Sequence, residues 1–236
     1  MAATVTTSPA TGGARAAGAL YLVIIACALF AEVAVRGGLV VAGDAAATAA
    51  NLQQGASLWR AGLAADLVAF LADAAVAVLL YRLLRPVSPS LALAAAAFRL
   101  VGTAVYAANL LNHAAALAVV TGSDAAGGIP PAQADLALFY TDLHAQGYDL
   151  GLVFFGLHCL VLGRMLAAAP GALRGIGGLM AAGGVVYLAG SFVALLAPAR
   201  AGVLEPAYAV PLAAELALSL WLLLKATVPQ PAAATA

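Results

Sequence analysis

The sequence predicts an all-α integral membrane bundle of six transmembrane helices, with the fourth helix at its centre. Three observations carry this prediction: 65% of the 236 residues are hydrophobic, only 8% are charged, and the apolar residues fall into six long runs. A soluble domain is usually about 25% charged, so this composition fits lipid as the surrounding solvent. The runs cover residues 16–35, 57–84, 91–120, 133–168, 173–196 and 207–226.

The first three runs are each long enough to cross about 30 Å of hydrocarbon at about 1.5 Å per residue. Arg15 precedes the first run, as in a signal peptide, but the apolar stretch is long and Glu32 interrupts its end, so we interpret it as a retained helix. A glycine-containing loop over residues 37–44 leads to the second run. The prolines of residues 85–89 end that run, because proline lacks an amide hydrogen and disfavours helix before it.

The fourth run would be more than about 50 Å long as one straight helix, so Gly147 is a candidate bend. At about 100° per residue its polar side chains fall on two sides of the helix. These are Asp142, Gln146 and Asp149 on one side and His144 and His158 on the other. A charge facing hydrocarbon costs about 3 kcal/mol at the bilayer centre. Protein is therefore expected on both sides of this helix, which makes it the central one.

The fifth run is rich in glycine, and small residues let helix backbones approach closely in lipid. Pro211 is expected to kink the sixth run. Residues 1–14 and 228–236 are predicted to be disordered tails around a single six-helix domain of residues 15–227. The bias of short-loop charges predicts that both termini are cytoplasmic. The charges on that side are Arg15, Arg82, Arg85, Arg164, Arg174 and Lys225, against Arg36 and Arg200 on the other.

Composition and motifs exclude several classes of function. Ten basic and ten acidic side chains give zero net charge, so nucleic acid is not an expected partner. Cys27 and Cys159 are interpreted as small buried hydrophobes, because two isolated cysteines form neither a disulfide framework nor a metal motif. The sequence has no HExxH, CxxC, GxSxG or P-loop motif. The expected partners are membrane lipid and a small-molecule or lipophilic ligand.

Three charged residues in different runs are predicted to form a cluster near the cytoplasmic side. Asp73, Arg99 and Glu215 each lie some 12 to 15 Å from the cytoplasmic boundary, at about 1.5 Å per residue. Two carboxylates on one guanidinium leave a net negative charge, so one is expected to be protonated unless His158 supplies a second positive charge. The cluster is either a structural brace or a proton-active site in which these three residues are the candidate catalytic groups.

A second polar layer is predicted toward the outer face. Glu32 and Arg36 are four residues apart and are expected to form an ordinary ion pair. Asp66 and Asp73 are seven apart and share one helix face, which connects the layers. Asparagines in such a layer can also serve only to join helices by hydrogen bonds. The candidate ligand-binding residues are Asp66, Asn109, Asn112, His113, Asp142, His144, Asp149 and His158.

Metal binding is the alternative weighed for this layer. Imidazole and carboxylate side chains suit zinc, iron or copper, and His113 and His144 are at compatible depths. Asp142 and His144, however, are about 200° apart around one helix and cannot share an ion unless that helix is broken. We therefore expect no metal and no cofactor, and histidines that are satisfied within a polar core.

Three stretches of the chain resemble a known family. They are LYRLLRPVSPSLALAAAAFRLVG (residues 80–102), DLHAQGYDLGLVFFGLHCLVLG (residues 142–163) and ELALSLWLLLK (residues 215–225). The chain resembles, over residues 18–225, a bacterial multi-pass membrane protein family known as domain of unknown function 4386. The resemblance implies a multi-pass bacterial membrane protein with one domain, and it implies no activity. We expect the protein in the bacterial cytoplasmic (inner) membrane.

Three functions remain open from the sequence. The first is binding of a small or amphiphilic molecule in the intramembrane polar core, because the polar groups outnumber what six helices need for packing. The second is an intramembrane enzyme acting on a lipid or isoprenoid, with a protonated Asp73 or Glu215 as general acid. The third is a small proton-coupled transporter, for which a discontinuous helix near Gly147 would be the structural mark.

Overall fold

The computed structural model describes residues 5–9, 12–122 and 128–231. Within these residues, six helical spans are long and apolar enough to cross a membrane, which confirms the predicted multi-pass bundle. The fourth span is the most enclosed, because 56% of its most apolar window is buried, so the predicted central helix is also confirmed. The spans are Gly13–Leu39, Ala56–Leu84, Pro89–Thr121, Pro131–Ala167, Ala172–Leu196 and Pro198–Leu224.

The first span is not a uniform α-helix. Helix α1 (Gly13–Leu29) passes into a π-helical segment, Phe30–Arg36, and then into the short helix α2 (Gly37–Leu39). The amide of Gly37 donates to the carbonyl of Glu32, a five-residue step that marks the wider π turn. The span therefore runs beyond the predicted end at residue 35, through part of the predicted loop.

Helix α3 (Ala45–Gln54) has no counterpart among the predicted runs. Its ten residues carry several polar side chains and are too few to cross a membrane. The local signal is its N-cap, where the Asp44 carboxylate accepts a hydrogen bond from the Ala47 amide at 2.9 Å. Such a cap favours a helix start wherever it precedes helix-forming residues.

The remaining helices follow the predicted runs closely. They are α4 (Ala56–Leu84), α5 (Pro89–Thr121), α6 (Pro131–Ala167), α7 (Ala172–Leu196) and α8 (Ala209–Leu224), with a 3-10 segment, Pro198–Tyr208, before α8. Helix α4 ends just before the proline pair, as predicted. Pro211 lies in the first turn of α8, where proline is tolerated, and the change from 3-10 helix to α-helix falls two residues earlier, at Ala209.

Helix α6 continues unbroken through Gly147, the candidate bend. The glycine has a different role, because a Cβ atom there would meet the side chain of Asn109. Gly147 thus lets an asparagine of α5 approach the backbone of α6, and the helix does not need to break to accommodate it.

Small residues bring α6 and α7 together, as the sequence predicted for the fifth run. A Cβ atom on Gly177 would lie 2.6 Å from the carbonyl oxygen of Gly163, and one on Gly184 would lie 2.7 Å from that of Gly156. A side chain larger than hydrogen at either position would clash with the backbone of α6 at these distances. The glycines therefore set how closely the two backbones approach.

The chain divides into two compact units. The first comprises Met1–Val23, Ala72–Thr103 and Asp149–Ala236, and the second comprises Ile24–Leu71 and Ala104–Tyr148. Large buried residues of the first unit include Leu84, Leu162, Leu166, Leu173, Met180, Leu218 and Leu222. The core of the second is built by Val35, Ala49, Leu52, Trp59, Ala116, Leu117, Val120, Ala134 and Ala137. The single-domain limits of 15–227 remain a prediction.

Two short strands lie near the two ends of the described chain. Strand β1 (Val5–Pro9) pairs antiparallel with strand β2 (Thr227–Pro231), in a register that sets Val5 opposite Pro231 and Pro9 opposite Thr227. The disorder expected for the tails remains a prediction. Gly13 and Ala14 of the predicted tail belong to α1, and residues 1–4, 10–11 and 232–236 lie outside the described residues.

Candidate functional site

Arg99 of α5 is the centre of the polar group in the first unit. Its side chain is fully buried, and its Nη2 donates to Asp73 Oδ1 of α4 at 2.5 Å. The predicted Asp73–Arg99 pair is therefore present. The Thr103 hydroxyl contacts the same carboxylate. The guanidinium carbon also lies 4.5 Å from the ring centre of Tyr21 and 5.0 Å from that of Phe155. Both rings therefore make cation–π contacts with Arg99.

His158 does not supply the second positive charge that the sequence allowed. Its Nε2 lies 3.0 Å from Arg99 Nη1, which can only donate, so Nε2 must accept. Its Nδ1 lies 2.9 Å from the carbonyl oxygen of Ala95, which can only accept, so Nδ1 carries the hydrogen. His158 is thus a neutral imidazole that joins α6 to α5.

Glu215 has a different partner from the one predicted. Tyr187 of α7 donates its hydroxyl hydrogen to Glu215 Oε1 at 2.7 Å. Within the described chain, the hydrogen bonds of Arg99 go to Asp73, Tyr21 and His158 and not to Glu215. Asp73 and Arg99 therefore form a buried ion pair, and the Glu215 carboxyl near them is hydrogen-bonded to Tyr187. Tyrosines in apolar runs give no sequence signal for such a partner, since they look like ordinary core residues.

The second unit holds a chain of three charged residues. Arg36 donates from Nε to Glu32 Oε2 at 2.7 Å, which confirms the predicted pair four residues apart. It also donates from Nη1 to Asp66 Oδ2 of α4 at 2.5 Å. The Glu32 side chain is 69% exposed and that of Asp66 only 3%. Arg36 therefore links an exposed carboxylate to a buried one.

His113 of α5 forms two hydrogen bonds with Trp59 of α4. Trp59 Nε1 donates to the His113 carbonyl oxygen at 2.8 Å, and His113 Nε2 lies 3.0 Å from the Trp59 carbonyl oxygen. The two rings are stacked, with centroids 3.9 Å apart. Because a carbonyl can only accept, Nε2 carries the hydrogen. The other nitrogen, His113 Nδ1, is buried without a hydrogen-bond partner among the described residues.

His144 of α6 is held in a similar way by Asn109 of α5. His144 Nδ1 lies 3.2 Å from the Asn109 carbonyl oxygen, and Asn109 Nδ2 donates to the His144 carbonyl oxygen at 2.7 Å. Asn112 Nδ2 donates to Asn109 Oδ1 at 2.8 Å and so orients that amide. By the same reasoning Nδ1 carries the hydrogen. His144 Nε2 is left buried without a hydrogen-bond partner in the described chain.

Three helices of the second unit bring a carboxylate and two imidazoles together. One carboxylate oxygen of Asp66 and one ring nitrogen each of His113 and His144 all lie within 4.8 Å of one another. The three residues are 2%, 0% and 4% exposed. Each comes from a different helix, namely α4, α5 and α6. We call these three residues the Asp66–His113–His144 group.

The other predicted ligand-binding residues have separate places. Asn109 and Asn112 position His144, as described above. Asp142 is exposed on α6, so it is not the carboxylate that accompanies the histidines. Asp149 is half-buried and belongs to the first unit, together with His158. Trp59 was missed as a functional neighbour, because a tryptophan in an apolar run looks like core.

A family model provides the one positive comparison with known proteins. The model of domain of unknown function 4386 (DUF4386) matches residues 16–226. The chain belongs to this family. No curated protein and no solved structure matches the chain. The matched region of this DUF4386 protein contains both the Asp73–Arg99 pair and the Asp66–His113–His144 group.

Proposed function

We propose that this DUF4386 protein binds a small ligand inside the membrane, at the Asp66–His113–His144 group. One observation carries the proposal: two imidazole nitrogens are buried beside a buried carboxylate and have no hydrogen-bond partner among the described residues. Buried polar atoms almost always have a partner. Leaving one without costs about 1 to 3 kcal/mol. A ligand that contacts these atoms would recover that free energy.

The surroundings favour a preformed site over a loose polar patch. Each of the three side chains is held by a second residue: His113 by Trp59, His144 by Asn109 and Asp66 by Arg36. These hydrogen bonds fix the orientation of the rings and the carboxylate before a ligand arrives. Sites whose first contacts are held by such supporting bonds lose less entropy on binding.

A small groove lies beside the Asp66–His113–His144 group. The groove encloses about 280 Å³ between α4 and α5, and its wall includes Trp59, whose ring covers His113. Pockets for drug-sized ligands measure about 300 to 1,000 Å³. The groove is therefore slightly smaller than that range.

Orientation and membrane type are part of the same proposal. The excess of arginine and lysine at one end of the spans supports cytoplasmic termini in the cytoplasmic (inner) membrane. Cysteines introduced near Arg85 and near Gly43 test this orientation. A membrane-impermeant thiol reagent added to intact cells should label the position near Gly43 and not the one near Arg85. The reverse labelling pattern would contradict the orientation.

Native mass spectrometry of the purified protein tests ligand binding. We expect the wild-type chain to carry an added mass that is absent from the His113→Ala/His144→Ala variant. Asp142→Asn is the matched control, because it removes a charge on α6 at an exposed position. A wild-type protein that shows only its chain mass, and gains none from cell extracts, would contradict the proposal.

A second candidate function is an intramembrane enzyme acting on a lipid or isoprenoid. The observation that supports it is Glu215, a carboxyl that is 7% exposed and accepts a hydrogen bond from Tyr187. A carboxyl group in an apolar site can stay protonated and act as a general acid. A Glu215→Gln variant that is stable and leaves the lipid extract of its host unchanged would argue against it. Transport has no such support in the described chain, since α6 is continuous at Gly147.

A further inference from the structure

We infer that the ligand of the Asp66–His113–His144 group is a divalent transition-metal ion, and this inference rests on the proposed function. The ligand atoms would be one Asp66 carboxylate oxygen, His113 Nδ1 and His144 Nε2. Two imidazoles and a carboxylate suit zinc, iron or copper. Magnesium and calcium prefer sites made of oxygen atoms, so they fit this group poorly.

The hydrogen-bond partners of the two histidines are those of metal ligands. A metal-binding imidazole usually donates its other ring hydrogen to a carbonyl or carboxylate, which fixes the tautomer. His113 donates from Nε2 to the Trp59 carbonyl at 3.0 Å, and His144 from Nδ1 to the Asn109 carbonyl at 3.2 Å. In each ring the lone pair therefore lies on the nitrogen that has no partner in the described chain.

A bound water molecule explains the group less well than a cation does. The two nitrogens and the carboxylate oxygen are all acceptors, whereas water has only two hydrogens to donate. Water would leave one of the three unsatisfied. A divalent cation interacts favourably with all three lone pairs at once.

The local charges also accommodate a cation. Glu32 and Asp66 contribute two negative charges and Arg36 one positive charge, while both imidazoles are neutral, so the assembly carries a net charge of minus one. Arg36 occupies Asp66 Oδ2, which leaves the other carboxylate oxygen for an ion. Arg36 thus orients the ligating carboxylate, and Glu32 offsets the repulsion between Arg36 and the ion.

The spacing sets a condition on binding. Metal–ligand bonds of about 2.1 Å in a tetrahedral site place the ligand atoms about 3.4 Å apart. One carboxylate oxygen of Asp66 and one ring nitrogen of each histidine lie within 4.8 Å of one another, so the ligand atoms must draw closer around an ion. With three protein ligands, a tetrahedral ion keeps one position open, as in catalytic rather than structural zinc sites.

Metal analysis of the intact chain tests the inference. The protein is purified without a polyhistidine tag, freed of metal with a chelator, and titrated with Co²⁺. We expect visible absorption bands that saturate at about one ion per chain, and displacement of those bands by Zn²⁺. Inductively coupled plasma mass spectrometry of protein purified without chelator should find zinc, iron or copper at a similar ratio.

Substitutions of the proposed ligands test which residues bind the ion. Asp66→Asn and His144→Ala should each weaken Co²⁺ binding by at least about 10-fold, whereas Asp142→Asn should bind as the wild type does. The wild-type titration needs no variant to fold, so it stands even if a substitution prevents folding. Co²⁺ binding that survives unchanged in both ligand variants would overturn the inference.

The outcomes separate this inference from the function on which it rests. An organic molecule at the group, found by native mass spectrometry in protein that binds no metal, would overturn the metal and leave the proposed function standing. A chain that binds neither Co²⁺ nor any other mass would overturn both.

Discussion

Trp59 and His113 are bonded to each other twice, because each donates a ring hydrogen to the main-chain carbonyl of the other. The bonds measure 2.8 and 3.0 Å and connect α4 to α5 across stacked rings. Helices in lipid gain little from the hydrophobic effect when they associate, so interhelical hydrogen bonds and packing must hold them together. This reciprocal pair both joins the helices and leaves one nitrogen of His113 without a protein partner.

Replacing Trp59 by phenylalanine should keep much of the stacking and remove one of these bonds. We expect the free energy of unfolding to fall by about 1 kcal/mol, the net worth of one buried hydrogen bond. Unfolding with denaturing detergent measures this change. Trp221→Phe is the matched control, since Trp221 donates to the Thr227 carbonyl at 3.0 Å from a half-buried position and should matter less. Equal losses in both variants would contradict the importance assigned to the Trp59–His113 pair.

The Asp73–Arg99 pair should be costly to break from one side. Asp73→Asn leaves a fully buried guanidinium without its counter-charge, and removing one partner of a buried ion pair costs about 3 to 5 kcal/mol. The control is Glu32→Gln, which weakens an ion pair whose carboxylate is largely exposed and should cost at most about 1 kcal/mol.

A double variant distinguishes loss of pairing from loss of packing. Asp73→Leu combined with Arg99→Met replaces both charges by apolar groups, and we expect it to be more stable than Asp73→Asn alone. If the double variant were the least stable of the set, shape rather than charge would explain the role of these residues.

Glycines on neighbouring faces of α7 offer a sharp comparison. Gly177→Ala should destabilise the protein by about 1 to 3 kcal/mol, because the new Cβ would lie 2.6 Å from the Gly163 carbonyl oxygen. Gly178→Ala should be neutral or slightly stabilising, because nothing lies within 4 Å of its Cβ and alanine favours helix by up to about 1 kcal/mol. Thermal unfolding in one detergent compares the two. Equal effects would show that close approach of α6 and α7 is not the reason for the glycine at 177.

Gly147 and Asn109 should act on ligand binding as one unit. Gly147→Ala would displace the Asn109 side chain, which holds the His144 carbonyl at 2.7 Å, and should weaken Co²⁺ binding by about 10-fold. Asn109→Ala should have a similar effect. Adding Gly147→Ala to Asn109→Ala should then change little, because the clashing side chain is already gone. Effects that add fully in the double variant would contradict this coupling.

The sequence predicted features within a single helix, such as its position and its local ion pairs, better than contacts between two helices. Hydropathy located all six spans, and spacing of four residues identified the Glu32–Arg36 pair. The depths of Asp73 and Arg99 along their spans correctly predicted that the two residues form a pair. The same argument predicted that Glu215 would pair with Arg99, whereas its hydrogen bond goes elsewhere. Depth along a helix does not show in which direction around that helix a side chain points. Without that orientation, the sequence could not show that Tyr187 is the hydrogen-bond partner of Glu215.

The candidate site shows the same limit. Asp66, His113 and His144 were all among the predicted ligand-binding residues, and the structure brings them within 4.8 Å of one another. The sequence does not indicate a metal, because no spacing is diagnostic and the nearest carboxylate in the chain, Asp142, faces away from His144 on the same helix. The suitable carboxylate comes from α4. Only packing between helices could reveal that choice, or show which nitrogen of each histidine is protonated.

The π-helical segment Phe30–Arg36 has a consequence for where Arg36 points. A π turn closes its hydrogen bond one residue later than an α turn, so it takes up an additional residue. Each residue of an α-helix advances the azimuth by about 100°, and everything after the segment is therefore out of angular phase with α1. A helical wheel drawn at a constant 100° per residue through the whole first span therefore misplaces the residues at its end. Arg36 lies at the end of this segment, and from there its guanidinium reaches Asp66 of α4 at 2.5 Å.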